Sequence, residues 1–268
     1  MAGLPFTLTS RLELDGDRIL VAVRSDGTAI HRVERRDSGA YFVKTTPHRS
    51  KDALRFHLSI EAERLVWLGK QGFPVPGVVD VGADDDMMWL VTTAVEGRPA
   101  ADWPNPAERP AVIAAVADFT RALHALPAEG CPFNRSLAVS LRWARTAAFT
   151  GQIDLNDLDE HHSGWSAQQL LDKLEATEPP PEDELVVCHG DLCLDNLLID
   201  TATLAVSGVL DVGRLGLADR WVDLAIAVRD ISEEQSDDGQ ADAFLRRYGM
   251  AGADERRLRY YRLLDEFF

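Results

Sequence analysis

The chain is expected to be an α+β protein, with a small N-terminal lobe of antiparallel strands around one main helix and a larger, mostly helical C-terminal lobe. Three observations lead there. Strand-like runs separated by turn-rich breaks fill the first 95 residues. A Pro- and Gly-rich stretch, "EGRPAADWPNPAERP", follows them. Beyond it, apolar residues recur at helical spacing. The lobes are drawn as 1–95 and 96–268.

Each element has a local reason. "RILVAV" (Arg18 to Val23) and "AIHRVE" (Ala29 to Glu34) flank the turn-rich "RSDGT". "RRDSG" makes a second turn into "AYFVKTT" (Ala40 to Thr46), which puts Lys44 on the third strand of a meander. A helix is predicted over Ala53 to Lys70, because Leu54, Leu58, Ala62, Leu65 and Leu68 share one stripe at roughly 100° per residue. Glu61 falls inside that stripe and Glu63 outside it. An inward carboxylate needs a partner, and Lys44 is the candidate. "GVVDVG" and "MMWLVTTAV" read as two more strands around the acidic turn "ADDD". In the second lobe Val112, Val116, Phe119 and Leu123 mark a helix; another is expected near Ser166 to Glu175, and more after Trp221.

Composition narrows the class. Of 268 residues, 46% are hydrophobic and 27% charged, which is ordinary for a globular protein. No apolar run reaches the ~18 residues a membrane-spanning helix needs, and "MAGLPFTLTS" lacks a signal peptide's basic start. Cys131, Cys188 and Cys193 fit a reducing compartment, so a cytoplasmic protein is expected. A formal charge of -16, from 28 Lys plus Arg against 44 Asp plus Glu, disfavours nucleic acid and anionic membranes and favours polycations.

The chemistry concentrates in "VVCHGDLCLDNLLID", Val186 to Asp200. "NLLID" and "SGVLDVG" read as two short strands joined by a turn, with Asn196 opening one and Asp211 closing the other beside the loop of Asp191. Two carboxylates and an amide oxygen are hard ligands that suit Mg²⁺ shared with phosphate. They do not suit zinc, which would want thiolates or imidazoles alongside. Phosphoryl transfer needs a carboxylate for the acceptor hydroxyl, a metal and a lysine on the phosphates. Asp191, Asn196 with Asp211, and Lys44 supply these in turn, with Glu61 holding the lysine. His189 reads as a brace of the loop rather than a base, and Asp223 as a second brace at a helix start.

With its "VVCHGDLCLDN", "GVLDVGRLGLADRWVDLA", "CPF" at Cys131, "VRDISEE" from Val228 and terminal "YYRLLDEFF", the chain resembles the aminoglycoside O-phosphotransferases, most closely the 3′-phosphotransferases. Their fold is bilobal and protein-kinase-like. The resemblance implies a nucleotide-binding first lobe and a catalytic, aminoglycoside-binding second lobe. It implies ATP or GTP as co-substrate with Mg²⁺, an aminoglycoside acceptor phosphorylated at a hydroxyl such as the 3′ position, and no protein partner. Asp191 would be the base, Asn196 and Asp211 the Mg²⁺ ligands, and Lys44 with Glu61 the phosphate-orienting pair. Ser25 would lie near the phosphates, Phe42 would stack on adenine, and the main chain of Thr93 and Val95 would bind its edge. The family carries acidic side chains for the antibiotic in a helical insert, and "IDLNDLDEHH" here offers Asp157, Asp159 and Glu160. Arg214, Arg229, Asp230 and Glu233 match further pocket positions; Asp265, Glu266 and the carboxylate of Phe268 match a C-terminal clamp. The phosphate loop departs from a Gly-rich cradle, having Gly27 alone, which implies a looser backbone grip.

Two other readings stand beside this one. A kinase of another small amino-alcohol or sugar would share the catalytic set, and a kinase-shaped module could capture cations without catalysis. A protein kinase is disfavoured, because "DVG" runs at once into "RLGLADRW" with no activation segment of the usual length.

Overall fold

The computed structural model describes residues 17–34, 39–48, 57–182, 184–235 and 238–268, with Leu4, Leu8, Thr9 and Leu12. The chain divides into two compact units, Met1–Glu96 with Gly208–Gly213, and Gly97–Ser207 with Arg214–Phe268.

The first unit is built on a five-stranded antiparallel sheet. Its strands are β1 (Arg18–Val23), β2 (Ala29–Glu34), β3 (Ala40–Pro47), β4 (Val78–Ala83) and β5 (Met87–Thr93), in the order β1-β2-β3-β5-β4. β2 alternates buried and half-buried residues along its length, as a strand with one covered face should. Leu8, Val33, Val43, Trp89 and Val91 form a core on this sheet, each fully buried side chain adding roughly 2 kcal/mol. Helix α1 (Leu58–Lys70) buries Leu58, Glu61, Ala62, Leu65 and Leu68, the expected stripe, together with Arg64. The predicted start at Ala53 and the stripe position Leu54 lie outside the described residues. Gly208–Gly213 joins this unit from far along the chain, and so carries Asp211 beside Lys44 and Glu61.

The second unit opens at Gly97. There β6 (Arg98–Pro99) pairs with β8 (Leu197–Ile199), and Pro110 in the first turn of α2 (Arg109–His124) suits a helix start. Helix α3 (Leu137–Thr150) ends on left-handed Gly151, and α4 (Ala167–Ala176) begins with a capping box of Ser166 and Gln169. Strand β7 (Leu185–Cys188) pairs antiparallel with β10 (Gly216–Asp219) and delivers the chain to His189. The hairpin β8–β9, with β9 at Val206–Val209, closes through the Asp200 N–H to Ala205 carbonyl bond at 2.9 Å. Helix α5 (Trp221–Gln235) buries Trp221, Leu224, Ile226 and Ile231 and packs on α6 (Asp238–Tyr248) and α7 (Glu255–Asp265).

"IDLNDLDEHH" is not helical beyond a single 3₁₀ turn, Glu160–His162. Asp154 accepts the Asn156 N–H at 3.1 Å and Asp159 accepts the His161 N–H at 2.9 Å, so short acidic side chains take amides a helix would use. Among the described residues no helix is long and apolar enough to cross a membrane.

Candidate active site

In the first unit the alternation of β3 puts Phe42 and Lys44 on one face and Val43 on the core face. Lys44 Nζ donates to Glu61 of α1 at 2.9 Å and to Asp211. Arg24, at the end of β1, adds a second cation, with Nη2 at 2.7 Å from Asp211 Oδ2. Burial alone would lower the Lys44 pKa, but the Asp211 and Glu61 carboxylates more than reverse it and hold the ammonium above its ordinary value. Burial would likewise raise Asp211, yet Lys44 and Arg24 keep it ionised, well below the carboxylate range. Glu61 goes the other way: burial and the like charge of Asp211 outweigh Lys44 and raise it. Asp211 has φ 53°, a left-handed conformation that costs a non-glycine residue on the order of 1–3 kcal/mol and is typical of functional positions.

Around this group the remaining first-unit candidates fall on strand ends. Ser25 is exposed in the β1–β2 turn, and Phe42 is half-buried opposite Thr92. The Thr93 N–H is committed to the Gly77 carbonyl at 2.9 Å, so a base edge at this strand end would meet the Thr93 carbonyl and not its amide. Val95 is half-buried two residues on.

In the second unit the loop after β7 is held from beneath. Asp223 of α5, fully buried, accepts the His189 and Gly190 N–H groups, both at 2.7 Å. His124 of α2 lies 3.0 Å from the same carboxylate and 2.8 Å from the Tyr248 hydroxyl of α6. Gly190 has φ 83°, and a Cβ there would meet the Arg214 carbonyl oxygen at 2.5 Å, so only glycine fits. The Asp191 N–H donates to His189 Nδ1 at 3.2 Å, which makes His189 a brace as the sequence suggested. The Asn196 Nδ2 donates to the Asp191 carbonyl at 2.9 Å, which leaves Oδ1, the atom that can bind a cation, outside that bond. The Asp191 carboxylate faces Arg214 at 3.8 Å.

The candidates for a cationic ligand separate into two groups and a remainder. Asp265 pairs with Arg214 and Arg229, each at 3.0 Å; Arg229 also lies 3.4 Å from Asp230, and Arg214 donates to the Phe268 main-chain oxygen. The Phe268 ring sits 4.9 Å from the Arg135 guanidinium and edge-on to Trp143, which fixes the C-terminal segment. Glu266 accepts from the Asp159 N–H at 3.2 Å and lies 2.5 Å from His162 Nδ1. Asp157 and Glu160 are exposed and join neither group; the side chain of Glu233 lies outside the described residues. His162, Arg24, Arg135 and His124 were missed by sequence reasoning. Only His162 carried a signal, being a histidine inside the acidic stretch.

Asp230 supports a stability prediction. Burial pushes its pKa up to about 6, against the opposing Leu194 N–H, 2.9 Å away, and Arg229. With an unfolded value of about 3.9, the folded state holds the extra proton between those values, so this group's contribution is full below about 3.9 and is lost as pH rises through about 6. Asp230→Asn keeps an acceptor for Leu194. It is expected to raise the melting temperature by a few degrees at pH 7.5 and to flatten the decline between pH 4.5 and 7, read by thermal unfolding.

A model of the phosphotransferase enzyme family matches residues 22–261. The chain belongs to that family. Within the phosphotransferases it is 46% identical over 256 residues to an aminoglycoside 3′-phosphotransferase of Streptomyces fradiae, covering 89% of this chain and 94% of that one. It is 36% identical to a streptomycin 3″-kinase of Streptomyces griseus, over 93% of this chain and 92% of the relative. Among solved structures, an aminoglycoside 3′-phosphotransferase of type VIII superposes with TM-score 0.84 at 45% identity, over 94% of this chain and 93% of the other. An aminoglycoside phosphotransferase of Streptomyces rimosus, in complex with ADP and streptomycin, superposes with TM-score 0.81 at 33% identity, over 100% and 99% of the two chains. The phosphotransferase fold here is accordingly the protein-kinase-like α+β fold expected from the sequence.

Proposed function

We propose that the chain moves the γ-phosphate of ATP, or GTP, to the 3′-hydroxyl of an aminoglycoside antibiotic and so confers resistance to it. The observation that carries this is the 46% identity to the Streptomyces fradiae enzyme of that name. In this reading Asp191 takes the proton of the acceptor hydroxyl as its oxygen attacks the γ-phosphorus, and the bond to the leaving nucleoside diphosphate breaks. Lys44, braced by Glu61 at 2.9 Å, holds the phosphates. Phe42, on the same strand face, stacks on the base; Ser25 lies by the phosphates, and the main chain of Thr93 and Val95 meets the base edge. Asn196 and Asp211 are the proposed Mg²⁺ ligands, and the ionised Asp211 and the oriented amide of Asn196 fit a hard cation. Mg²⁺ there would neutralise developing phosphate charge.

Asp157, Asp159, Glu160, Asp230, Glu233, Asp265, Glu266 and Phe268, with Arg214 and Arg229 positioning Asp265, form the proposed antibiotic site. Carboxylates suit a polyamine that is cationic at neutral pH, and they give the net charge of -16 a purpose. The cytosol is the proposed location, where the thiols of Cys131, Cys188 and Cys193, which form no disulfide, remain reduced. Purified protein with Mg·ATP and a panel of kanamycin, neomycin, streptomycin and choline is expected to release ADP with kanamycin or neomycin. Turnover with choline alone would instead favour a small amino-alcohol kinase.

A further inference from the structure

The turn between β1 and β2 spends its amides on itself. The Arg24 N–H donates to the Thr28 carbonyl at 2.8 Å and the Gly27 N–H to the Arg24 carbonyl at 3.0 Å. The Thr28 N–H donates to Asp26 Oδ1 at 2.9 Å. A phosphate loop usually grips its ligand with successive main-chain N–H groups. From Arg24 to Thr28, at most those of Ser25 and Asp26 remain for that task. A side chain that reaches phosphate from this turn would add to that short grip.

The same turn supplies a guanidinium. Arg24, with 51% of its side chain exposed, reaches Asp211 Oδ2 at 2.7 Å, on the carboxylate that also accepts from Lys44. We infer that Arg24 is a side-chain clamp for the β- and γ-phosphates, parked on Asp211 until nucleotide arrives. The inference rests on the phosphotransferase function proposed above. A guanidinium fork matches phosphate oxygens in two-point geometry, which a single lysine cannot do. Asp211 would hold a divalent cation in the proposed function; the positively charged Arg24 would then lose its place on that carboxylate, and nucleotide phosphates would offer it a new partner. Lys44 keeps Glu61 throughout, so the exchange needs only one long exposed side chain to turn.

The test compares nucleotides that differ only in phosphate. Adenosine, Mg·ADP and the magnesium complex of β,γ-methylene-ATP are titrated calorimetrically into the unaltered protein and into Arg24→Ala, Arg24→Gln and Arg24→Lys. Adenosine affinity is expected to stay within about twofold in all variants. Triphosphate affinity is expected to fall about tenfold or more in the Ala and Gln variants, with Lys between. Triphosphate binding that is unchanged or tighter in Arg24→Ala overturns the clamp, the tighter case making Arg24 a mere occluder of Asp211. A loss shared equally by adenosine also overturns it, because a phosphate clamp cannot act on a ligand without phosphate. Unaltered protein that binds no nucleotide would instead overturn the phosphotransferase function itself.

Discussion

Asp191→Ala is expected to lower kcat by about 10³–10⁴ while nucleotide and aminoglycoside still bind within a few-fold of the unaltered protein. The size follows from losing the proposed acceptor of the hydroxyl proton. The selectivity follows from how the loop is held. Asp223 anchors it through the His189 and Gly190 amides, and Asn196 holds the Asp191 carbonyl, so none of these bonds uses the Asp191 side chain. Among the described residues that side chain forms an ion pair with Arg214, at 3.8 Å, and Arg214 retains Asp265 at 3.0 Å. The fold should therefore survive, with a melting temperature within a degree or two. Single-turnover phosphate transfer beside equilibrium binding separates the two effects. A variant that turns over normally would leave a binding module as the better description.

Asp223→Ala should have the largest effect on stability. The carboxylate is fully buried, accepts two amides at 2.7 Å and sits 3.0 Å from His124. Removing it strands two buried N–H donors and an imidazole, at a cost of about 3–5 kcal/mol. Asp223→Asn keeps the shape but turns one oxygen into a donor facing another donor, which should cost about 2–4 kcal/mol. Urea unfolding reads both. The protein that stays folded should also lose turnover, because the peptide carrying Asp191 has lost its floor.

The pairing of Lys44 with Glu61 was legible because its determinants are local. Lys44 follows from strand alternation and Glu61 from a helical stripe; once Glu61 is buried, electrostatics leaves it little choice but a cation. The His189 and Asp223 braces were legible for similar reasons, since one is in the loop and the other opens a helix. What escaped depends on long-range placement. β10 is four residues, "GLAD", with no alternation to mark it, and it is a strand only because β7 offers a partner. Helix α3 has a Gly stop but an apolar pattern too diffuse to set it apart from its neighbours. Arg24 lies beside Ser25 in sequence, yet nothing in "RSDGT" says that its guanidinium reaches a carboxylate far along the chain. In the acidic insert, composition does not reveal that Asp154 and Asp159 close turns on themselves.

In the proposed reaction, phosphate passes from nucleotide to one particular sugar hydroxyl. Product analysis by ³¹P and ¹H NMR after reaction with kanamycin, run beside its 3′-deoxy analogue, addresses it directly. One phosphate ester is expected on the 3′-oxygen of kanamycin and none on the deoxy compound. Equal phosphorylation of both, or ADP released with no phosphorylated antibiotic, would contradict it.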